Sequence, residues 1–249
     1  MHSVTAVLNI SAYKFVTVSD AAELRESVRS HALALGLMGT VLIAEEGINL
    51  FLAGAPDSTR SFVAWLRTDV RFADLVVKQS KSDALPFGKL LVKVKAEIIR
   101  MNHRTIQPQS QRAPAVQAAE LKRWLDQGHD DAGRPVVLLD TRNAFEVEHG
   151  RFVGAIDCRL SKFSEFPQAL LAQRERLLGK TVVSYCTGGI RCEKAALFMQ
   201  EAGMDNVLQL EGGILKYFEE TGGAHFAGDC FVFDERETLN AALEPSTRV

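Results

Sequence analysis

The residues best suited to chemistry form the run Cys186-Thr187-Gly188-Gly189-Ile190-Arg191. Thr181 to Tyr185, just before it, reads as a strand, and Cys192-Glu193-Lys194-Ala195-Ala196 begins a helix. A thiol at the C-terminal edge of a parallel strand lies where α/β sheets place ligands. Gly188 and Gly189 let the backbone curl without a Cβ clash. Loop amides from Thr187 to Ile190 then turn inward as an anion cradle. The following helix adds the partial positive charge of its N-terminus, and Arg191 adds a full one. All three favour thiolate over thiol, so the spacing predicts a lowered pKa for Cys186. Such a thiolate attacks a sulfane sulfur, a phosphate or an electrophilic carbon, and it can also hold a persulfide.

Other groups are candidates around it. Cys192 is either a small helix residue or a second redox thiol that resolves a disulfide or sulfenate on Cys186. Asp140, at a strand end, is placed to pair with Arg142 or to accept loop amides. Cys158 reads as structural, and Cys230 is given no chemistry. His103 and His149 lie in polar surroundings, no HxH or HExxH spacing occurs, and none of the four cysteines forms a CxxC pair. No metal site is expected, and no flavin, iron or nicotinamide motif is visible.

The elements that must position these groups fall into two sets. Val4 to Val18 alternates as a strand. Asp20-Ala21-Ala22-Glu23 has the form of a capping box opening a helix that Gly36 ends. Strands at Thr40 to Ala44 and Ile48 to Leu52 flank the turn Glu45-Glu46-Gly47, a second helix starts at Pro56, and a last strand covers Leu90 to Ile99. That order is a ferredoxin-like split β-α-β layout, expected over residues 1–105. The stretch 106–114 reads as a linker. Over 115–222, helices at Ala115 to Leu125, Phe163 to Leu178, Cys192 to Ala202 and Ile214 to Glu220 alternate with short apolar strands at Val136 to Leu139, Thr181 to Tyr185 and Val207 to Leu210. This predicts an α/β domain with a parallel sheet. Residues 223–249 form a tail whose Phe231-Val232-Phe233 is suited to pack back onto a domain.

At 249 residues, with 47% hydrophobic and 24% charged side chains, the chain is an ordinary globular sequence with material for two cores. A net charge of −2 excludes a polycation, so any nucleic-acid contact must use a local patch. The segment from Lys78 to Arg104 offers one. Lys89, Lys93, Lys95, Arg100 and Arg104 are its candidate RNA contacts, with Lys93 and Lys95 expected on one face of the last strand and Val92 and Val94 on the other. Lysines on an edge strand also discourage aggregation. The N-terminus lacks a basic signal-peptide region and no apolar stretch is long enough to span a bilayer, so a cytoplasmic protein without a membrane partner is expected.

Strand, Cys-Thr-Gly-Gly-Ile-Arg and helix together resemble the rhodanese superfamily. So do Leu138-Leu139-Asp140-Thr141-Arg142-Asn143-Ala144-Phe145-Glu146 and Gly150-Arg151-Phe152-Val153-Gly154-Ala155-Ile156. Related phosphatases use a loop one residue longer, so six residues point to sulfur chemistry rather than phosphate. A narrower resemblance, to the tRNA uridine-34 hydroxylase family, rests on Cys186 to Lys194, Leu210-Glu211-Gly212-Gly213-Ile214-Leu215-Lys216-Tyr217 and Asp229 to Asp234. Ala44-Glu45-Glu46-Gly47-Ile48-Asn49 and Phe87 to Lys95 extend it to the N-terminal half. Leu50-Phe51 depart from the family's usual Gly-Thr. The resemblance implies an acylphosphatase-like domain joined to a rhodanese domain, and tRNA as substrate. It further implies 5-hydroxylation of the wobble uridine with molecular oxygen as co-substrate, and both Cys186 and Cys192 as parts of one signature. The competing reading is a thiosulfate or persulfide sulfurtransferase, which needs only the loop. A binding module without catalysis ranks last, because both Cys186 and Arg191 are present.

Overall fold

The computed structural model describes residues 7–246. Its chain divides into two compact units. One runs to Ile99 and takes in Asp234–Arg236; the other covers Arg100–Phe233 and resumes at Glu237.

The first unit follows the order β1 (Val7–Phe15), α1 (Ala21–Ala34), β2 (Met38–Ala44), β3 (Gly47–Gly54), α2 (Pro56–Leu66), β4 (Val77–Ser82) and β5 (Leu90–Val94). Residues 4–6 of the expected first strand lie outside the described residues. The strands form one sheet in the order β4-β1-β3-β2-β5. β1 pairs antiparallel with β3 and β4, and β2 antiparallel with β3. Val28 from α1 and Phe62 from α2 join Ile10, Val41, Leu50 and Leu52 in its core, all fully or nearly fully buried.

Three expectations need correction here. The fourth ferredoxin-like strand is β4, not the segment at Leu90. In Val77-Lys78-Gln79-Ser80-Lys81-Ser82 only Val77 is apolar and no residue is fully buried, so no hydrophobic alternation marks it. The segment from Leu90 is instead an added fifth strand, parallel to β2 at the far edge. It ends at Val94 rather than Ile99 because β2 turns away at Ala44 and offers no further partner. Val92 packs into the core and is buried, while Val94, at the end of the strand, is 46% exposed. Asp20 makes no side-chain cap; its carboxylate pairs with Arg71. Past β5, the Glu46 carboxylate accepts from the Ile98 amide at 2.7 Å and the Asn49 amide donates to the Ile98 carbonyl at 3.3 Å, which fastens the strand exit to the β2–β3 turn.

The second unit continues with β6 (Ala115–Val116), α3 (Ala118–Gln127), β7 (Val136–Asp140), α4 (Ala144–Val147), β8 (Gly150–Phe152) and β9 (Ile156–Asp157). Then come α5 (Phe166–Leu177), β10 (Thr181–Tyr185), α6 (Ile190–Glu201), β11 (Val207–Leu210) and α7 (Gly213–Thr221). Three short strands close the chain: β12 (Phe226–Gly228), β13 (Cys230–Phe231) and β14 (Thr238–Leu239). The main sheet, β6-β11-β10-β7-β9, is parallel throughout. β10 is central and fully buried; its polar Thr181 and Ser184 are hydrogen-bonded to Asp130 and the Leu208 carbonyl. Ala115 and Val116 open a strand rather than a helix, since they pair with Gln209 and Leu210. Phe163–Glu165 is a separate 3₁₀ turn ahead of α5. The tail packs back: β12 pairs with β8, and β13 with β14. Among the described residues no helix is long and apolar enough to cross a membrane.

Candidate active site

Cys186 leaves the C-terminal end of β10, between β7 and β11, and has no exposed surface. The helix after it starts earlier than the sequence predicts. Ile190 and Arg191 form the first turn of α6, and Gly189 is its N-cap with φ +99°, a conformation that favours glycine. Gly188 has no such need: a Cβ there would meet nothing within 4 Å. The Gly189 amide donates to the Cys186 sulfur at 3.1 Å. Burial alone would push this thiol up. A hydrogen bond from Cys192, the Arg191 charge and the Arg191 and Gly189 amides outweigh it and hold Cys186 well below the ordinary thiol range.

Cys192 carries the opposite shift. Burial and the anion at Cys186 push it well above the usual range, so it stays a thiol and serves as donor. Its sulfur also lies 3.7 Å from the Thr141 hydroxyl, which donates to the Tyr185 carbonyl at 2.9 Å. Both cysteines are free. At Cys158 and Cys230 burial prevails instead, and each thiol is pushed up to about 12.

Arg191 is held by Glu146. Its two terminal nitrogens donate to the two carboxylate oxygens at 2.5 and 2.8 Å, and both side chains are buried. Burial opposes the guanidinium charge, but Glu146 more than restores it, so the arginine is fixed as a cation. Glu146 is in turn oriented by the Asn143 amide at 3.0 Å. Sequence reasoning did not select Glu146 as a site residue. The signal was there: it closes the rhodanese-like strand-and-turn and stands three residues after Asn143, the spacing of a capping box.

Gly213 was missed as well. It has φ +69°, and a Cβ would fall 2.5 Å from the Cys186 carbonyl and 2.7 Å from the Gly189 nitrogen. This contact brings the start of α7 against the loop, where Ile214 and Leu215 amides donate to the Cys186 and Thr187 carbonyls at 2.9 and 3.1 Å. The signal was the second Gly-Gly pair, quoted only for its resemblance.

Other predicted residues fall elsewhere. The Asp140 carboxylate does pair with Arg142, accepting from its amide at 3.0 Å and from its guanidinium at 2.6 Å, and Arg142 donates on to the Gly150 carbonyl at 2.7 Å. Both are fully buried and brace β7 against β8, and these bonds run to each other and to Gly150 rather than to the Cys186 loop. Thr187 is buried with its hydroxyl 3.4 Å from the Phe231 carbonyl, and Ile190 is buried. Lys89, Lys93 and Lys95 are exposed at β5 in the first unit. Arg100 and Arg104 are exposed but belong to the second unit, and Arg100 donates to the Asn102 side chain at 2.9 Å.

Two family models match the chain: a UPF0176 acylphosphatase like domain over residues 7–98 and a rhodanese-like domain over residues 117–220. A tRNA uridine(34) hydroxylase of Variovorax paradoxus (strain S110) is 68% identical over 233 residues, covering 94% of this chain and 89% of that protein. The chain belongs to the tRNA uridine(34) hydroxylase family. The enzyme of the same name from Bordetella pertussis (strain Tohama I) is 64% identical, over 97% of this chain and 99% of its own length. Among solved structures, the rhodanese-like domain of an Anabaena sp. protein aligns over 47% of this chain and 80% of that one, at 21% identity and a TM-score of 0.37.

Proposed function

We propose that this hydroxylase family member carries out oxygen-dependent 5-hydroxylation of uridine 34 in tRNA, in the cytoplasm, with Cys186 as its catalytic thiolate. The observation that carries the reading is the cradle itself: a buried sulfur that accepts from the Gly189 amide beside an Arg191 fixed by Glu146, a setting that favours the thiolate. A thiolate so placed adds to C6 of the uracil ring. The S–C6 bond forms, the C5–C6 π bond opens, and C5 becomes a nucleophile that takes one oxygen atom from O₂, while an external two-electron donor reduces the other to water; loss of the C5 proton then expels the Cys186 thiolate and restores the C5–C6 double bond. Arg191 and the amides of Thr187 to Ile190 stabilise the sulfur before attack and after its release. Cys192 is the partner thiol, with a proton to give. Lys89, Lys93, Lys95, Arg100 and Arg104 are the phosphate contacts, which assigns part of RNA binding to the acylphosphatase-like unit.

Nucleoside mass spectrometry of tRNA from a deletion strain tests this. Complementation with the wild-type gene restores 5-hydroxyuridine derivatives, and Cys186→Ala abolishes them. Equal amounts with both genes refute the assignment.

A further inference from the structure

Among the large apolar side chains exposed on the described residues, the only aromatic ones are Phe145 (44% exposed) and Phe233 (49%). They lie 88 residues apart in sequence yet face each other. Their ring centroids are 6.4 Å apart with planes at 88°. Phe231 fills the corner between them, 5.2 Å from each ring and edge-on to both. His149 backs Phe231 at 5.3 Å. Scattered exposed apolar residues need no explanation, but an ordered right-angled corner of rings does.

This corner adjoins the thiolate loop through Glu146, Arg191 and Thr187. Phe145 precedes Glu146, the carboxylate that fixes Arg191. The Arg191 guanidinium lies 6.0 Å over the Phe233 ring. The Phe231 carbonyl faces the Thr187 hydroxyl. The rings are therefore held in register with the loop by its own charged and polar groups. Cys186 itself has no exposed surface, so a substrate that reaches it must pass a rim. Two half-exposed phenyl rings at right angles suit one flat ring, stacked on the exposed part of one phenyl with its edge towards the other. Aromatic side chains hold unpaired bases this way without reading their hydrogen-bonding edges.

We infer that Phe145 and Phe233 form a stacking seat for the base of the nucleotide that is modified, holding it out of the RNA stack beside Cys186. The inference rests on the proposed tRNA function and names positioning residues for it.

The test uses the full chain and two synthetic anticodon stem–loop RNAs, one with uridine at position 34 and one abasic there. Binding is followed by fluorescence anisotropy at fixed salt. Phe145→Leu and Phe233→Leu keep apolar bulk but remove the π-face; Phe→Trp variants restore it. The wild type should prefer the uridine RNA. Each Leu variant should lose about 5- to 150-fold in affinity for that RNA, the range of one base–aromatic stack, and little for the abasic RNA. The Trp variants should recover the preference. Leu variants that weaken both RNAs equally, or neither, overturn the stacking seat. A wild-type chain that restores no 5-hydroxyuridine in cells overturns the functional reading beneath it, and the two failures are read from separate experiments.

Discussion

The Cys186 loop and the β5 edge both present positive charge, but they hold it differently. Arg191 is 6% exposed, clamped by Glu146 on two bonds, and faces a sulfur that no water reaches. Lys93 and Lys95 stand in solvent with no ion pair among the described residues. A buried charge acts at short range in a low dielectric and is insensitive to salt. An exposed lysine acts over a Debye length and weakens as ions are added. The first kind decides the protonation state of one atom. The second suits a polyanion whose phosphates need attraction more than exact placement. Under the proposed function the two regions would divide the work, the loop setting reactivity and the edge strand affinity.

The sharpest way to break this comparison is to remove the clamp. Glu146→Ala leaves a buried guanidinium unpaired, and the expected loss of stability in urea unfolding is about 3–5 kcal/mol. A loss below about 1 kcal/mol would mean that Arg191 relaxes into water and is no more fixed than Lys93.

A smaller effect concerns the sulfur itself, read as thiolate absorbance at 240 nm. An ordinary cysteine titrates near pH 8.5. Because the native pKa of Cys186 lies well below that value, the absorbance should persist as pH falls through 8.5 and vanish only in a lower range. Cys192→Ala removes the foremost of the groups favouring the anion, so the midpoint should move up towards 8.5. Loss of absorbance already at pH 8 in the wild type would contradict the cradle.

The smallest effect lies at the edge strand. Lys93→Ala and Lys95→Ala should each lower the log–log salt dependence of stem–loop RNA binding by about one. Thiolate absorbance should stay unchanged. A salt slope equal to that of the wild type would place the phosphate contacts elsewhere.

Much of the second unit was legible because its signals are local. A strand, a Cys-to-Arg loop and a helix fall within some twenty residues, and β10 and β11 are short, mostly apolar segments that fit burial on both faces of a sheet. What escaped was set by tertiary partners. Residues of β4 carry no alternation, and only pairing with β1 makes them a strand. Asp20 and Glu23 satisfy a capping pattern, but Arg71, fifty-one positions away, competes for the carboxylate. Asp140 and Arg142 sit beside the right motif, yet their bonds serve each other and Gly150. Glu146 and Gly213 stand in recognisable motifs but show no role in the sequence, because the groups they touch lie 45 and 27 positions away in the chain.

The contact at Gly213 has a consequence for the handedness of the loop's polarity. A trans peptide points its C=O and N–H in opposite directions. When Ile214 and Leu215 take hold of the Cys186 and Thr187 carbonyls, the amides of Thr187 and Gly188 are turned to the side away from α7. The outer helix thereby decides which pole of two successive peptide planes the pocket sees. A loop of the same six residues, unfastened from that helix, would be free to roll and show its oxygens to an anion instead.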